Sequence, residues 1–228
     1  MLPAILASLL LILLSSPVES APAQPPAGFD SCDRLVASQP EAEGTAKCYD
    51  DVGTRLKQPE IEAARLRNLL KRFPGSPWPA FYLAFLDTAH ADELFRTAAS
   101  GFAIRREGSG EIRARTNIYR LLYNAGRVDE AGREAERITR VAEASRDPEL
   151  IARARILQAR QLWGTGKDLE QAYLLLRQAE AGLFAPGTKG NYFVQRECLN
   201  VLGNLSLDLG HHREGLDTFR RMADLAAA

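Results

Sequence analysis

The chain has 228 residues, of which 29 are basic and 29 acidic, so its formal net charge is zero. Such a balance supplies no field strong enough to demand nucleic acid or a charged membrane as partner. The length suits one large domain or one repeat array.

The first element is an apolar run, LPAILASLLLILL over residues 2–14, followed by SSPVES and the proline-rich APAQPPAG. This pattern reads as a secretory signal peptide over residues 1–20, because a membrane span needs about 20 apolar residues and the run is shorter. Val18 and Ser20 suit cleavage before Ala21, and Ala21 and Ala23 offer a second point before Gln24. No Lys or Arg precedes the run, and an uncleaved membrane anchor is the alternative reading. Residues 21–28 have the composition of a disordered linker. Arginine supplies 24 of the 29 basic residues, a bias that points to a GC-rich bacterial genome. The expected destination is therefore the periplasm or beyond.

Residues 32–48, CDRLVASQPEAEGTAKC, hold two of the three cysteines. Pro40 separates a helical segment over 30–38 from one over 41–56 and sets a tight turn near residue 39. At about 1.5 Å of rise per residue, Cys32 and Cys48 differ by only ~3 Å in level along an antiparallel hairpin. In an oxidising compartment that geometry favours a disulfide, which would add about 3 kcal/mol by restricting the unfolded chain. Zinc is the rival reading, but a structural site needs four ligands and no third cysteine or histidine lies near. A catalytic redox pair is the other alternative. Cys198 reads as a small buried hydrophobe.

From Thr45 onward, helix-period segments alternate with short turns and no strand pattern emerges, so the class is all-α. EIEAARLRNLLKRFPGSP, WPAFYLAFL and HADELFRTAA are helical in period. Three later stretches superpose on their turns: IYRLLYNAGRVDEAGREA, QARQLWGTGKDLEQAYLLLRQA and LGNLSLDLGHHREGLDTF. Each runs from an apolar helix through a glycine (Gly126, Gly166, Gly210) to a second helix opening on a small residue. Those small residues, with the earlier Ala91, are Ala131, Ala172 and Gly215, and they recur every 40 to 43 positions. Small side chains are what allow helices to cross at about 8 to 10 Å.

The pattern resembles the tetratricopeptide repeat (TPR), a helix-turn-helix unit of about 34 residues. Leu202, Gly203, Gly210, Gly215 and Phe219 fall on its signature spacing in the last copy. Ala159, Leu162, Gly166, Leu176 and Ala179 do so one copy earlier. The resemblance covers most of residues 41–228, in units longer than the common form. It implies a right-handed superhelical solenoid of antiparallel hairpins, with disulfide-stapled helices and a degenerate repeat over 29–76 and the main array over 77–228. The first helix of each unit would line the inner surface.

On that alignment Arg113, Arg120, Arg153 and Arg160 point into the groove. Tyr123 and Trp163 join them near the helix ends, and Asn200 and Asn204 in the last unit. One reading makes the arginines merely the exposed face of amphipathic helices. The other makes an anion-selective groove, since guanidinium forks suit carboxylates and aromatic side chains anchor interfaces. The chaperone-binding subclass of the family uses a lysine and asparagine clamp, which is not reproduced because Thr116 and Arg120 stand there.

No catalytic constellation assembles. His90, His211 and His212 fall in turns. The GSG at 108–110 and GTG at 164–166 follow no strand, as a phosphate loop would require. Asp50-Asp51 reads as a solvated face. The expectation is an exported interaction scaffold that needs no cofactor or metal, binding a protein or peptide, acidic in the groove reading. The alternative is the regulatory N-terminal region of a larger signalling or caspase-like peptidase protein, and an enzyme within these residues comes third. The last helix carries Leu216, Phe219, Met222, Ala223 and Leu225, a stripe wide enough to suggest self-association or a covering partner.

Overall fold

The computed structural model describes residues 29–38, 42–187 and 190–227. The expected leader, the linker and the turn at Pro40 lie outside the described residues. Those residues form α1 (Phe29–Ser38), α2 (Glu43–Leu56), α3 (Pro59–Arg72), α4 (Pro77–Leu86), a 3-10 turn (Thr88–His90), α5 (Ala91–Arg105), α6 (Gly108–Asn124), α7 (Val128–Ser145), α8 (Pro148–Thr165), α9 (Leu169–Leu183), α10 (Tyr192–Asp208) and α11 (His212–Ala227). The chain is all-α, and consecutive helix pairs pack as TPR-like repeats: α2 with α3, α4 with α5, α6 with α7, α8 with α9 and α10 with α11. α1 packs on α2, and Cys32 and Cys48 form a disulfide between them. α2 starts at Glu43, two residues later than the proline break suggested.

The turns follow from backbone sterics. Gly126, Gly166 and Gly210 stand at φ of 74°, 63° and 80°, the left-handed conformation that ends a helix at little cost only without a Cβ. α8 and α9 open on polar caps: the Asp147 side chain accepts from the backbone N–H groups of Glu149 and Leu150 ahead of Pro148, and Asp168 accepts from that of Gln171. Each satisfies donors that the first helical turn would leave open.

Small residues sit where the helices cross. Ala131 and Ala172 are fully buried, and Gly215 is buried against Leu207 of α10. Behind them the ring of Phe219 fills the side-chain space of Gly203, where a Cβ would lie 2.9 Å from the ring. α8 shows what stacking demands of a helix. Leu150, Ala154 and Leu157 face the preceding units while Ala152, Ile156 and Ala159 face the following ones, so two apolar faces replace the single stripe of a surface helix. α4 goes further, with eight consecutive buried residues from Pro77 to Ala84. Trp78, Phe81, Phe85, Phe95 and Phe102 make edge-on ring contacts around it.

At the far end, α11 fully buries only Gly215 and Thr218, and Leu216 remains 55% exposed. The apolar stripe of the last helix is thus partly uncovered in this single chain.

Candidate functional site

Because the helices alternate, the first helices of the pairs share one face, where α2 touches α4 and α8 touches α10. Together α2, α4, α6, α8 and α10 enclose a groove of about 500 Å³. Its apolar floor comes from Phe81, Tyr82 and Phe85 on α4, Ile112 on α6, and Leu150, Ile156 and Leu157 on α8. Phe85 is 51% exposed, a large aromatic face left in water. The charged lining has both signs: Asp50 from α2, Arg113 and Arg120 from α6, Glu149 and Arg153 from α8, and Glu197 from α10.

Most of these charges are already matched. Arg113 Nη1 donates to Glu43 Oε1 at 2.8 Å, and the Tyr82 hydroxyl donates to the same oxygen at 3.2 Å. The Arg113 guanidinium also lies 4.8 Å from the Phe81 ring centre and 5.2 Å from that of Trp78. Burial works against its charge, but the bonds to Glu43 and Tyr82 outweigh that and raise its pKa. Burial likewise pushes the Tyr82 hydroxyl up to about 12. Arg153 pairs with Glu149 at 2.8 Å and Arg160 with Glu197 at 3.2 Å. Arg120 and Asp50 have no ion-pair partner among the described residues. Burial and the neighbouring Asp51 raise the Asp50 pKa, against a smaller effect of Lys47.

Of the residues expected in the groove, Arg113, Arg120 and Arg153 line it, and Arg160 meets it through Glu197. Tyr123, Trp163, Asn200 and Asn204 do not line this cavity. Tyr123 stacks on Tyr119 with ring centres 5.8 Å apart and presses its hydroxyl into the space that Gly164 leaves open on α8. Trp163 Nε1 donates to Asp208 at 2.7 Å, tying α8 to α10. Asn204 Nδ2 donates to the Asn200 carbonyl at 2.7 Å within one helix.

The sequence reading of Asp50-Asp51 as a solvated face holds for Asp51, whereas Asp50 is partly buried and lines the groove; Phe85 and Glu43 were not singled out from sequence. One signal was available: Glu43 and Asp50 are spaced on α2 as Arg113 and Arg120 are on α6, seven residues apart and so on one helical face.

Behind Asp50, Glu62 of α3 is 1% exposed, with its Oε1 unpartnered among the described residues. Its carboxylate occupies the space where a side chain at Gly53 would stand. Burial, helped by Asp50, pushes this carboxyl up to about 7. Among the described residues, no three His, Cys, Asp or Glu side chains gather as a metal site would require.

No protein-family model matches the chain, and no curated protein matches it by sequence. Solved structures do. BtubC (BKLC) from P. vanneervenii superposes with a TM-score of 0.69 at 13% identity, over 88% of this chain and 87% of that one. The apo form of RapI gives 0.63 at 13% identity, over 77% and 66%. A putative kinesin light chain with TPR-like repeats from Podosopora anserina gives 0.59 at 16% identity, over 86% and 96%. At these identities the likeness is one of fold, and the chain has the fold of TPR-like helical repeats.

Proposed function

We propose that this chain is a protein-interaction scaffold that holds a polypeptide segment in its concave groove. The observation that carries the reading is the groove itself: five first helices converge on one cavity whose apolar floor presents Phe85 to solvent. Exposed aromatic faces inside a concave, partly charged surface are what interface hot spots are made of. The likeness to TPR-like repeats supports protein partners as the class.

Export is part of the proposal. The apolar run at residues 2–14 and the disulfide between α1 and α2 favour an oxidising compartment. An exported product whose N-terminus begins at Ala21 or Gln24 would support this, and a product retained in the cytoplasm with both cysteines reduced would contradict it.

A random-peptide display library panned on the protein tests the groove. Enriched peptides should lose binding on Phe85→Glu and keep it on Ile104→Glu, which changes an 84% exposed side chain on α5, the second helix of its pair. No enrichment, or binding indifferent to Phe85→Glu, would contradict the proposal.

A further inference from the structure

We infer that the groove selects a segment carrying one apolar side chain flanked by a basic group on one side and a carboxylate on the other, in fixed order. This deepens the groove-binding reading and rests on it.

One ion pair reaches across the groove from the first helix pair to the third. Glu43 on α2 and Arg113 on α6 pair at 2.8 Å, although a whole helix pair lies between their helices in sequence. α2 and α6 are both first helices of their pairs and run the same way. Seven residues further along each, about 10 Å by helical rise, stand Asp50 and Arg120. Both line the same cavity. They repeat the acid-base relation of the pair below them, yet neither has an ion-pair partner among the described residues. The groove is bridged at the Glu43 level and open at the Asp50 level.

Between them runs α4, which supplies the middle of the floor. Phe81 lies under the Arg113 guanidinium, and Phe85 is one turn further on, toward the open level, and half exposed. The open part of the groove therefore presents an unmatched carboxylate, an exposed aromatic ring and an unmatched guanidinium, on three successive first helices. Glu149, Arg153 and Glu197 also line the groove, but Glu149 and Arg153 satisfy each other and Glu197 holds Arg160.

Charge complementarity then sets the occupant. An ammonium or guanidinium answers Asp50, a carboxylate takes the planar fork of Arg120, and an apolar side chain covers Phe85. In an extended peptide alternate side chains face one surface, so one segment can deliver all three. A purely acidic segment leaves Asp50 unanswered and brings like charge toward Glu149 and Glu197. Because the two charges are fixed on different helices, reversing the segment sets like against like, and order becomes part of recognition.

The experiment pans a random-peptide library on the wild-type protein and on the double variant Asp50→Lys with Arg120→Glu, both checked for unchanged helicity and melting. Wild type should enrich peptides with a basic and an acidic residue on either side of an aliphatic or aromatic one, and the double variant should enrich the opposite order. With the best wild-type peptide made synthetically, Asp50→Asn and Arg120→Gln should each weaken binding about tenfold. Removing the peptide's basic residue should then weaken binding to wild type but not to Asp50→Asn, a readout that does not need the double variant to fold. Peptides enriched without the charge pair, the same order on both proteins, or no coupling to Asp50 would overturn the inference while leaving groove binding intact. No enrichment at all would remove both.

Discussion

Arg113 Nη1 reaches Glu43 Oε1 at 2.8 Å across 70 positions of sequence, joining α6 to α2 over the intervening α4. The guanidinium is also stacked near Phe81 and Trp78, so this is an ion pair seated on the aromatic core of the array. It spans the groove from the first helix pair to the third.

A double-mutant cycle of Glu43→Gln and Arg113→Met should return a coupling of about 1 kcal/mol. That is the upper part of the range for partly exposed pairs, because both side chains keep roughly two fifths of their surface in water. Single variants followed by chemical denaturation supply the numbers. A coupling of zero would mean that the pair adds nothing to the stability of the array.

The disulfide makes a second prediction. Among the described residues α1 is also held by Asp33, which accepts from the Tyr49 hydroxyl at 2.6 Å and pairs with Arg65 at 2.8 Å. Reduction should therefore loosen α1 first. Hydrogen exchange under reducing conditions should show lost protection over 29–38 with α4 to α11 unchanged, and a stability loss of at most about 3 kcal/mol. Alkylation of both Cys32 and Cys48 in native, unreduced protein would contradict the bridge.

Glu62 predicts the pH profile. Its folded pKa of about 7 stands above the ordinary 4.5, so between those values the fold holds a proton that the unfolded chain has lost. Stability therefore falls as pH rises from about 4.5 to 7 and stays reduced above it. At about 1.4 kcal/mol per pKa unit the effect is on the order of 3 kcal/mol. Glu62→Gln should raise the melting temperature at pH 8 and change it little at pH 4.5. An equal effect at both pH values would mean that Glu62 is not the group responsible.

Two helical glycines should respond oppositely to alanine. At Gly203 a Cβ would stand 2.9 Å from the Phe219 ring. Overpacking of about 1 to 3 kcal/mol then exceeds the gain of about 1 in helix propensity, so Gly203→Ala should be neutral to destabilising. Gly182 on α9 has nothing within 4 Å of its Cβ position, and Gly182→Ala should stabilise by up to about 1 kcal/mol. Thermal melts of the two variants decide it. A stabilised Gly203→Ala would place Phe219 elsewhere.

The repeat was legible because its marks are steric. Gly126, Gly166 and Gly210 end helices in a conformation that a Cβ penalises, and Ala131, Ala172 and Gly215 lie where two backbones approach. Both demands act locally and leave a fixed residue type at a fixed spacing. The groove was legible only in part. The seven-residue step from Arg113 to Arg120 follows from helix geometry alone. Which of Asp50 and Asp51 turns inward does not, because it depends on how α2 rests on α4; Asp51 pairs with Lys47 at the surface, and Asp50 lines the groove. Tyr123 and Trp163 were placed by the same periodicity, but near the ends of their helices neighbouring units offer stronger partners. Gly164 leaves a gap for Tyr123, and Asp208 accepts from Trp163.

Site-specific photocrosslinking tests the central claim most directly, with a photoreactive side chain placed in turn at Thr116 on the groove-facing side of α6, at Ile104 on α5, at Arg133 on α7 and at Leu216 on α11, and a panned peptide as the probe. The account predicts that the peptide is captured from position 116 and from none of the other three. Capture from 104, 133 or 216 with none from 116 would contradict binding in the concave groove.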